Sequence, residues 1–180
     1  DRIIKYENIN HDVASFLELL SVSAHSINRF IKRSHERKNT IGVWGDGNVG
    51  FITALILKKQ FPESKIIVFG KNEEKLSFFS FVDETYQIDS IPEDLRVDHA
   101  FEAVGGKASE YAIDQIIDYI NPEGSIAILG VSENPVPINT RMVLEKGLTI
   151  VGSSRSGRVD FQYAVDFLEA YPDAQNQLQK

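Results

Sequence analysis

Residues 40–51 read Thr40-Ile41-Gly42-Val43-Trp44-Gly45-Asp46-Gly47-Asn48-Val49-Gly50-Phe51. Apolar and β-branched side chains run up to Trp44, the pattern GxGxxG follows at Gly45, Gly47 and Gly50, and a helical apolar spacing begins at Val49. Each glycine has its own use in such a turn. Gly45 permits the tight bend, Gly47 lets a diphosphate approach the backbone because no Cβ intervenes, and Gly50 lets the helix lie close on the strand. An anion would then rest on the unpaired N–H groups at the positive end of the helix dipole. A bare GxGxxG also serves as a plain turn. The strand before it, the helix after it and a second strand at the proper distance are what favour dinucleotide binding.

The rest of the chain keeps this rhythm. Short β-rich runs at 40–44, 65–69, 86–88, 97–103, 125–129 and 148–151 alternate with helical spacings at 49–60, 72–79, 107–120, 141–146 and 159–170, with breaks at Pro62, Pro122 and Pro135-Val136-Pro137. That alternation predicts an α/β fold, a Rossmann doubly wound six-stranded parallel sheet with helices on both faces. Its expected order is 3-2-1-4-5-6, the two halves meeting between strands 1 and 4. Ahead of the sheet, Val13, Phe16, Leu17, Leu20, Ala24, Ile27 and Ile31 recur at three- and four-residue steps and predict one long linker helix over 11–36. The domain reading is a connecting segment at 1–38, a dinucleotide-binding domain at 39–171 and a polar tail at 172–180.

Composition excludes several functions. The 180 residues, 42% hydrophobic, suit a single core. No apolar run approaches a membrane span, and Asp1, Arg2, Lys5 and Glu7 are unlike a signal peptide, so a cytoplasmic protein with no membrane partner is expected. The absence of cysteine rules out disulfides, thiolate metal sites and thiol nucleophiles, and fits a reducing compartment. A net charge of −7 disfavours nucleic acid. The basic run Arg29, Lys32, Arg33, Arg37 and Lys38 reads as the solvated end of a helix.

The second strand selects the cofactor. An NAD site carries an acidic side chain at its end, and here that place falls on Gly70. Lys71 supplies a cation where a 2′-phosphate would lie, with Asn72 and Lys75 as further donors, which favours NADP(H). The alternative is an ordinary solvated Lys71 beside a pocket that accepts either cofactor. Val104 and Gly105 close strand four, Gly130 and Val131 close strand five, and Ser153 follows strand six. With Asp46, Asn48 and Val49 of the fingerprint, these complete the expected cofactor-binding set.

Residues 40–170 resemble the cofactor domain of medium-chain, zinc-type alcohol and polyol dehydrogenases. The likeness is carried in order by the fingerprint, by Asn72-Glu73-Glu74-Lys75-Leu76, by Ala103-Val104-Gly105-Gly106 and by the Gly124 to Gly130 frame. Within that family, Val43 to Phe51 and Val151-Gly152-Ser153-Ser154-Arg155-Ser156-Gly157-Arg158 resemble the NADPH-dependent ribulose-5-phosphate reductases. Those enzymes make ribitol 5-phosphate for CDP-ribitol and so for teichoic acid and capsule polymers. The resemblance implies an oxidoreductase in which zinc polarises the ketone while NADPH delivers hydride to C2.

The resemblance further implies that Glu18, within Ser15-Phe16-Leu17-Glu18-Leu19-Leu20-Ser21-Val22, matches a zinc-ligating carboxylate of the intact enzyme. The other ligands would lie outside this chain, so zinc is expected to be absent or weakly bound here. No catalytic residue is expected within the chain, which reads as an excised domain or fragment, inactive by itself. His25, seven residues beyond Glu18, reads as structural or solvated. Arg155 and Arg158 are candidates for the sugar phosphate, with exposed surface arginines as the competing reading. A homodimer through the sixth strand is expected, because 148–151 would otherwise be an exposed apolar edge. Other readings are a zinc-dependent dehydrogenase of another alcohol or polyol, a noncatalytic nucleotide-binding regulatory domain, which Glu18 argues against, and a methyltransferase, which Gly70 disfavours.

Overall fold

Six strands form one parallel sheet in the order β3-β2-β1-β4-β5-β6, as expected, in a computed structural model that describes residues 3–179. They are β1 (Thr40–Trp44), β2 (Lys65–Gly70), β3 (Glu84–Gln87), β4 (His99–Glu102), β5 (Ser125–Ile128) and β6 (Thr149–Gly152). Trp44 lies opposite Phe69 on one side and Glu102 on the other, so the carboxyl ends of β1, β2 and β4 are level and their loops converge. The order reverses between β1 and β4, where open sheets of this type leave a crevice.

The helices are α1 (His11–Ala14), α2 (Leu17–Ile31), α3 (Asn48–Gln60), α4 (Glu73–Ser77), α5 (Ala108–Tyr119), α6 (Thr140–Glu145), α7 (Arg158–Ala170) and α8 (Pro172–Leu178). Side chains alternate across the sheet with a period of two. Ile41, Val43, Ile66, Val68 and Phe101 point to one face and pack with Leu20, Ile27 and Phe30 of α2, Ile52 and Ile56 of α3 and Leu168 of α7. Trp44, Ile67, Phe69, Ala100 and Ile126 point to the other and pack with Ile113, Ile116 and Ile117 of α5. Both faces are covered, which is why β1 and β2 read as continuous apolar runs. β3, at the edge, instead alternates half-buried and exposed.

Four expectations are corrected. The single helix over 11–36 is two helices: Ser15 Oγ donates to Asp12 O at 2.6 Å and Phe16 N to Val13 O at 3.0 Å, closing α1 in a tight turn before α2 starts. At the other end the N–H groups of Arg33 and Ser34 both turn back onto Phe30 O, and Arg37 is drawn to the buried Asp98 by a bond of 2.8 Å. The third strand lies at Glu84–Gln87, earlier than 86–88, and the fourth is shortened to His99–Glu102 because Val97 pairs with Ile120 in an isolated bridge instead. The segment expected as a polar tail contains α8, opened by Pro172 and anchored by buried Ala174. Gln175 Nε2 donates to the carbonyls of Asn8 and Leu168, tying α8 to the N-terminal segment and to α7. Among the described residues no helix is long and apolar enough to cross a membrane.

Candidate cofactor site

The three fingerprint glycines are required for different reasons. Gly45 adopts φ +132°, and a Cβ there would lie 2.7 Å from the carbonyl oxygen of Ala103. A Cβ on Gly50 would lie 2.0 Å from the carbonyl oxygen of Gly45, so α3 touches the turn directly. Gly47 differs from both: its φ is −90° and an added Cβ would meet nothing within 4 Å. Neither backbone nor packing demands a glycine at 47, and the space over it is open to a ligand. Gly47 is also the N-cap of the 13-residue α3 and supplies no side-chain acceptor to the first N–H groups. An uncapped helix start under bare backbone is an anion cradle.

A cleft of about 670 Å³ opens beside this turn, in the size range of small-molecule and cofactor sites. Of the residues expected from sequence, Gly45, Asp46, Gly47, Gly70, Lys71, Lys75 and Val104 line it, while Asn48 borders an adjoining pocket with Asp46, Gly47 and Lys75. Its floor was not anticipated. Trp44 stacks on Phe69 with centroids 3.9 Å apart, and its Nε1 donates to Gln115 Oε1 at 2.9 Å. Gln115 Nε2 in turn donates to Ile88 O at 2.9 Å, so β1, α5 and the loop after β3 are locked together. Tyr111 lines the same cleft with a largely exposed ring. Trp44 immediately precedes the first glycine, a position that places it at the cleft. Gln115 and Ile88 carry no comparable signal.

At the end of β2, a Cβ on buried Gly70 would stand 2.7 Å from Asp46 Cβ, 2.8 Å from Leu76 Cδ2 and 2.9 Å from Asp46 Oδ2. No acidic side chain fits there. Lys71 and Lys75 are exposed, and among the described residues their ammonium groups pair with no carboxylate. Asn72 caps α4, its Oδ1 accepting from Lys75 N at 3.0 Å. Asp46 Oδ2 accepts from the N–H groups of Lys71 and Asn72 at 2.8 and 2.7 Å. The residues present therefore suit a dinucleotide whose diphosphate sits at the α3 start and whose 2′-phosphate meets two lysines.

The loops after β4 and β5 are stitched by Glu102, a fully buried residue that sequence reasoning passed over. Its Oε1 accepts from Val104 N at 2.9 Å and Gly105 N at 3.0 Å, and its Oε2 from Gly130 N at 3.2 Å. Gly105 and Gly106 have φ of +71° and +60°, and Gly106 N donates to Val131 O at 2.9 Å. The structure thus brings Val104, Gly105, Gly130 and Val131 together. A buried glutamate bonded only to main chain has no sequence signature.

Ser153, Arg155 and Arg158 do not line the cleft; they follow β6, two strands beyond β4. Arg155 is exposed and held at φ +61°, in the left-handed region that non-glycine residues seldom occupy. Glu18 is exposed in the first turn of α2. His25 Nδ1 lies 3.0 Å from Asp160 Oδ2, across the α2–α7 contact. Among the described residues no group of three or more His, Cys, Asp or Glu side chains could hold a metal ion. Zinc in an enzyme site takes three protein ligands, and no such set is assembled among the described residues.

Comparison with known proteins agrees with the fold. The chain is 56% identical over 180 residues to a ribulose-5-phosphate reductase of Bacillus spizizenii, covering 99% of this chain and 53% of the relative. It is 60% identical over 172 residues to ribulose-5-phosphate reductase 1 of Staphylococcus aureus, covering 96% and 50%. The chain therefore spans about half the length of the curated relatives it matches. S. aureus TarJ, solved in complex with NADPH, superposes with a TM-score of 0.91 at 60% identity over 96% of this chain and 55% of that one. L-idonate 5-dehydrogenase of Escherichia coli shares the fold at 16% identity, with a TM-score of 0.79 over 98% and 55%. Residues 49–170 match the zinc-binding dehydrogenase model, and the chain belongs to that family.

Proposed function

We propose that this chain is the NADP(H)-binding domain of a reductase that converts ribulose 5-phosphate to ribitol 5-phosphate. The observation that carries the cofactor part is the end of β2, where Asp46 and Leu76 leave no room for an acid at residue 70 and two unpaired lysines face the cleft. The NADPH complex of S. aureus TarJ supports it. The substrate is supported by the two relatives named for it.

The bound nicotinamide supplies the hydride. This chain's own residues hold and orient the nucleotide: the N–H groups of Asn48 and Val49 take the diphosphate, Lys71 and Lys75 take the 2′-phosphate, and the loops fixed by Glu102 border the nicotinamide end. No step is assigned to zinc, since Glu18 alone does not make a site. Arg155 and Arg158 remain the guanidinium groups for the sugar phosphate, supported by their places in the loop after β6 and at the start of α7, and by the unusual backbone of Arg155. A cytoplasmic setting is supported by the cysteine-free composition. A homodimer through β6 is supported by its edge position and by the exposed Leu144 and Ile150 nearby, and light scattering tests it, a monomer at high concentration counting against it.

The reading is tested by cofactor oxidation in the full-length protein. Ribulose 5-phosphate should drive oxidation of NADPH faster than of NADH. Equal or faster use of NADH would remove the cofactor assignment, and turnover only with an unphosphorylated or different ketose would remove the substrate. Trp44, the single tryptophan of the 180 residues, stands at the cleft floor, so its emission should be quenched as NADPH binds.

A further inference from the structure

Asp46 sits between the two glycines of the β1–α3 turn, yet its carboxylate is bonded to the next loop. Oδ2 takes the consecutive N–H groups of Lys71 and Asn72 at 2.8 and 2.7 Å, both short and charge-assisted. Those amides would otherwise be free at the edge of the cleft. The bond pair fixes the backbone from Gly70 to the Asn72 cap of α4, and therefore the points from which Lys71 and Lys75 project. The same carboxylate fills the space a side chain at 70 would need, 2.9 Å from its Cβ position. One residue thus excludes the acid that reads ribose hydroxyls and aims the cations that read a phosphate.

We infer that Asp46 is a positioning residue that sets the preference for NADP(H) over NAD(H), through the main chain of residues 71 and 72. The inference rests on the NADP(H) reading above. It makes the bonding of this side chain, rather than its charge, the quantity that matters: a carboxylate near a 2′-phosphate is by itself repulsive, and only its hold on the loop turns it to advantage.

The test compares dissociation constants for NADPH and NADH in the full-length wild type, Asp46→Asn and Asp46→Ala, with melting temperatures alongside. Asparagine keeps an oxygen able to accept from both amides, whereas alanine removes the clamp. Asp46→Asn should hold the NADPH to NADH ratio within about threefold of wild type, while Asp46→Ala should weaken NADPH by about tenfold and NADH far less. Asp46→Ser, whose hydroxyl is too short to reach the loop, repeats the alanine arm if that variant melts too low to measure. The inference is overturned if alanine weakens both cofactors equally, leaves the ratio unchanged or tightens NADPH, or if asparagine is as harmful as alanine. Failure of the wild type to bind either nucleotide would instead remove the cofactor reading, so the two failures are distinguishable.

Discussion

Replacing Gly47 with alanine should damage cofactor binding without damaging the fold. A Cβ at 47 meets nothing within 4 Å, and φ −90° with ψ −178° is open to any L residue. Alanine is a poorer N-cap than glycine by up to about 1 kcal/mol. It recovers roughly 0.4–1 kcal/mol by restricting the unfolded chain. Net stability should stay within about 1 kcal/mol of wild type. A diphosphate on the first α3 amides needs contacts of about 2.8 Å, and a methyl in its approach removes them. Each lost bond to a charged group is worth about 1.5–3 kcal/mol, so NADPH and NADH should both weaken at least roughly tenfold. Gly50→Ala is the counterpart. Its Cβ would stand 2.0 Å from the Gly45 carbonyl oxygen, against 3.4 Å for ordinary contact, and a backbone oxygen cannot rotate away. Pushing α3 off the turn should cost about 1–3 kcal/mol, lowering the melting temperature by roughly 2–4 °C for each. Calorimetric titration and thermal melts of both variants check this. Unchanged binding in Gly47→Ala, or a melt depressed as far as that of Gly50→Ala, would refute the account of the open glycine.

Lys71→Ala should weaken NADPH about tenfold and leave NADH unchanged, measured by titration, because only NADPH carries the 2′-phosphate; an equal loss for both would reduce Lys71 to a general surface charge. Glu102→Gln puts an amide donor against Gly130 N–H, 3.2 Å away, and should lower stability by about 1–3 kcal/mol and raise KM for both cofactors; an unchanged urea midpoint and KM would show that the loops stand without the carboxylate. His99 is fully buried, and burial first, then neighbouring His35 and Lys38, push its pKa down from 6.5 to about 4. The unfolded chain therefore takes up this proton first as pH falls, so stability is full above about pH 6.5 and declines toward pH 4 by roughly 3 kcal/mol. Urea unfolding across that window should show the slope in wild type and lose much of it in His99→Phe; a slope undiminished in the variant assigns the acid sensitivity to other groups.

The topology was legible because its signals are local. Apolar runs bounded by turns gave all six strands near their places, and GxGxxG fixed where the sheet reverses. Gly70 and Lys71 were legible for the same reason, as a departure at a known offset. What escaped depends on partners far along the chain or on main chain alone. Asp46 reads as a cofactor contact from its place in the fingerprint, and nothing at residue 46 announces that it also bonds residues 71 and 72. Glu102 has main-chain partners only, so no complementary side chain marks it. The break at Ser15 and Phe16 was hidden because the apolar spacing continues across it into α2. The α8 segment is mostly polar, and its place is set by Ala174 and two Gln175 bonds that composition cannot express.

The proposed binding of a nucleotide with an extra phosphate by a chain of net charge −7 poses an electrostatic problem that local pairing would resolve. Distant surface charges are screened beyond about 8–10 Å at physiological salt, so the groups at the cleft outweigh the total. Lys58, Lys59 and Lys65 are each held by a carboxylate, from Asp83, Asp173 and Glu84. Lys71 and Lys75 are not, although Asp46 is beside them, because that acid is committed to main-chain amides. Glu102, at the end of β4, is committed in the same way. Carboxylates that brace loops through N–H groups leave the neighbouring cations available to a ligand. Other cations, Lys107 among them, also lack a carboxylate partner among the described residues, so the proposed anion site is marked by unpaired cations together with the cleft beside them, which a count of charges over the chain does not express.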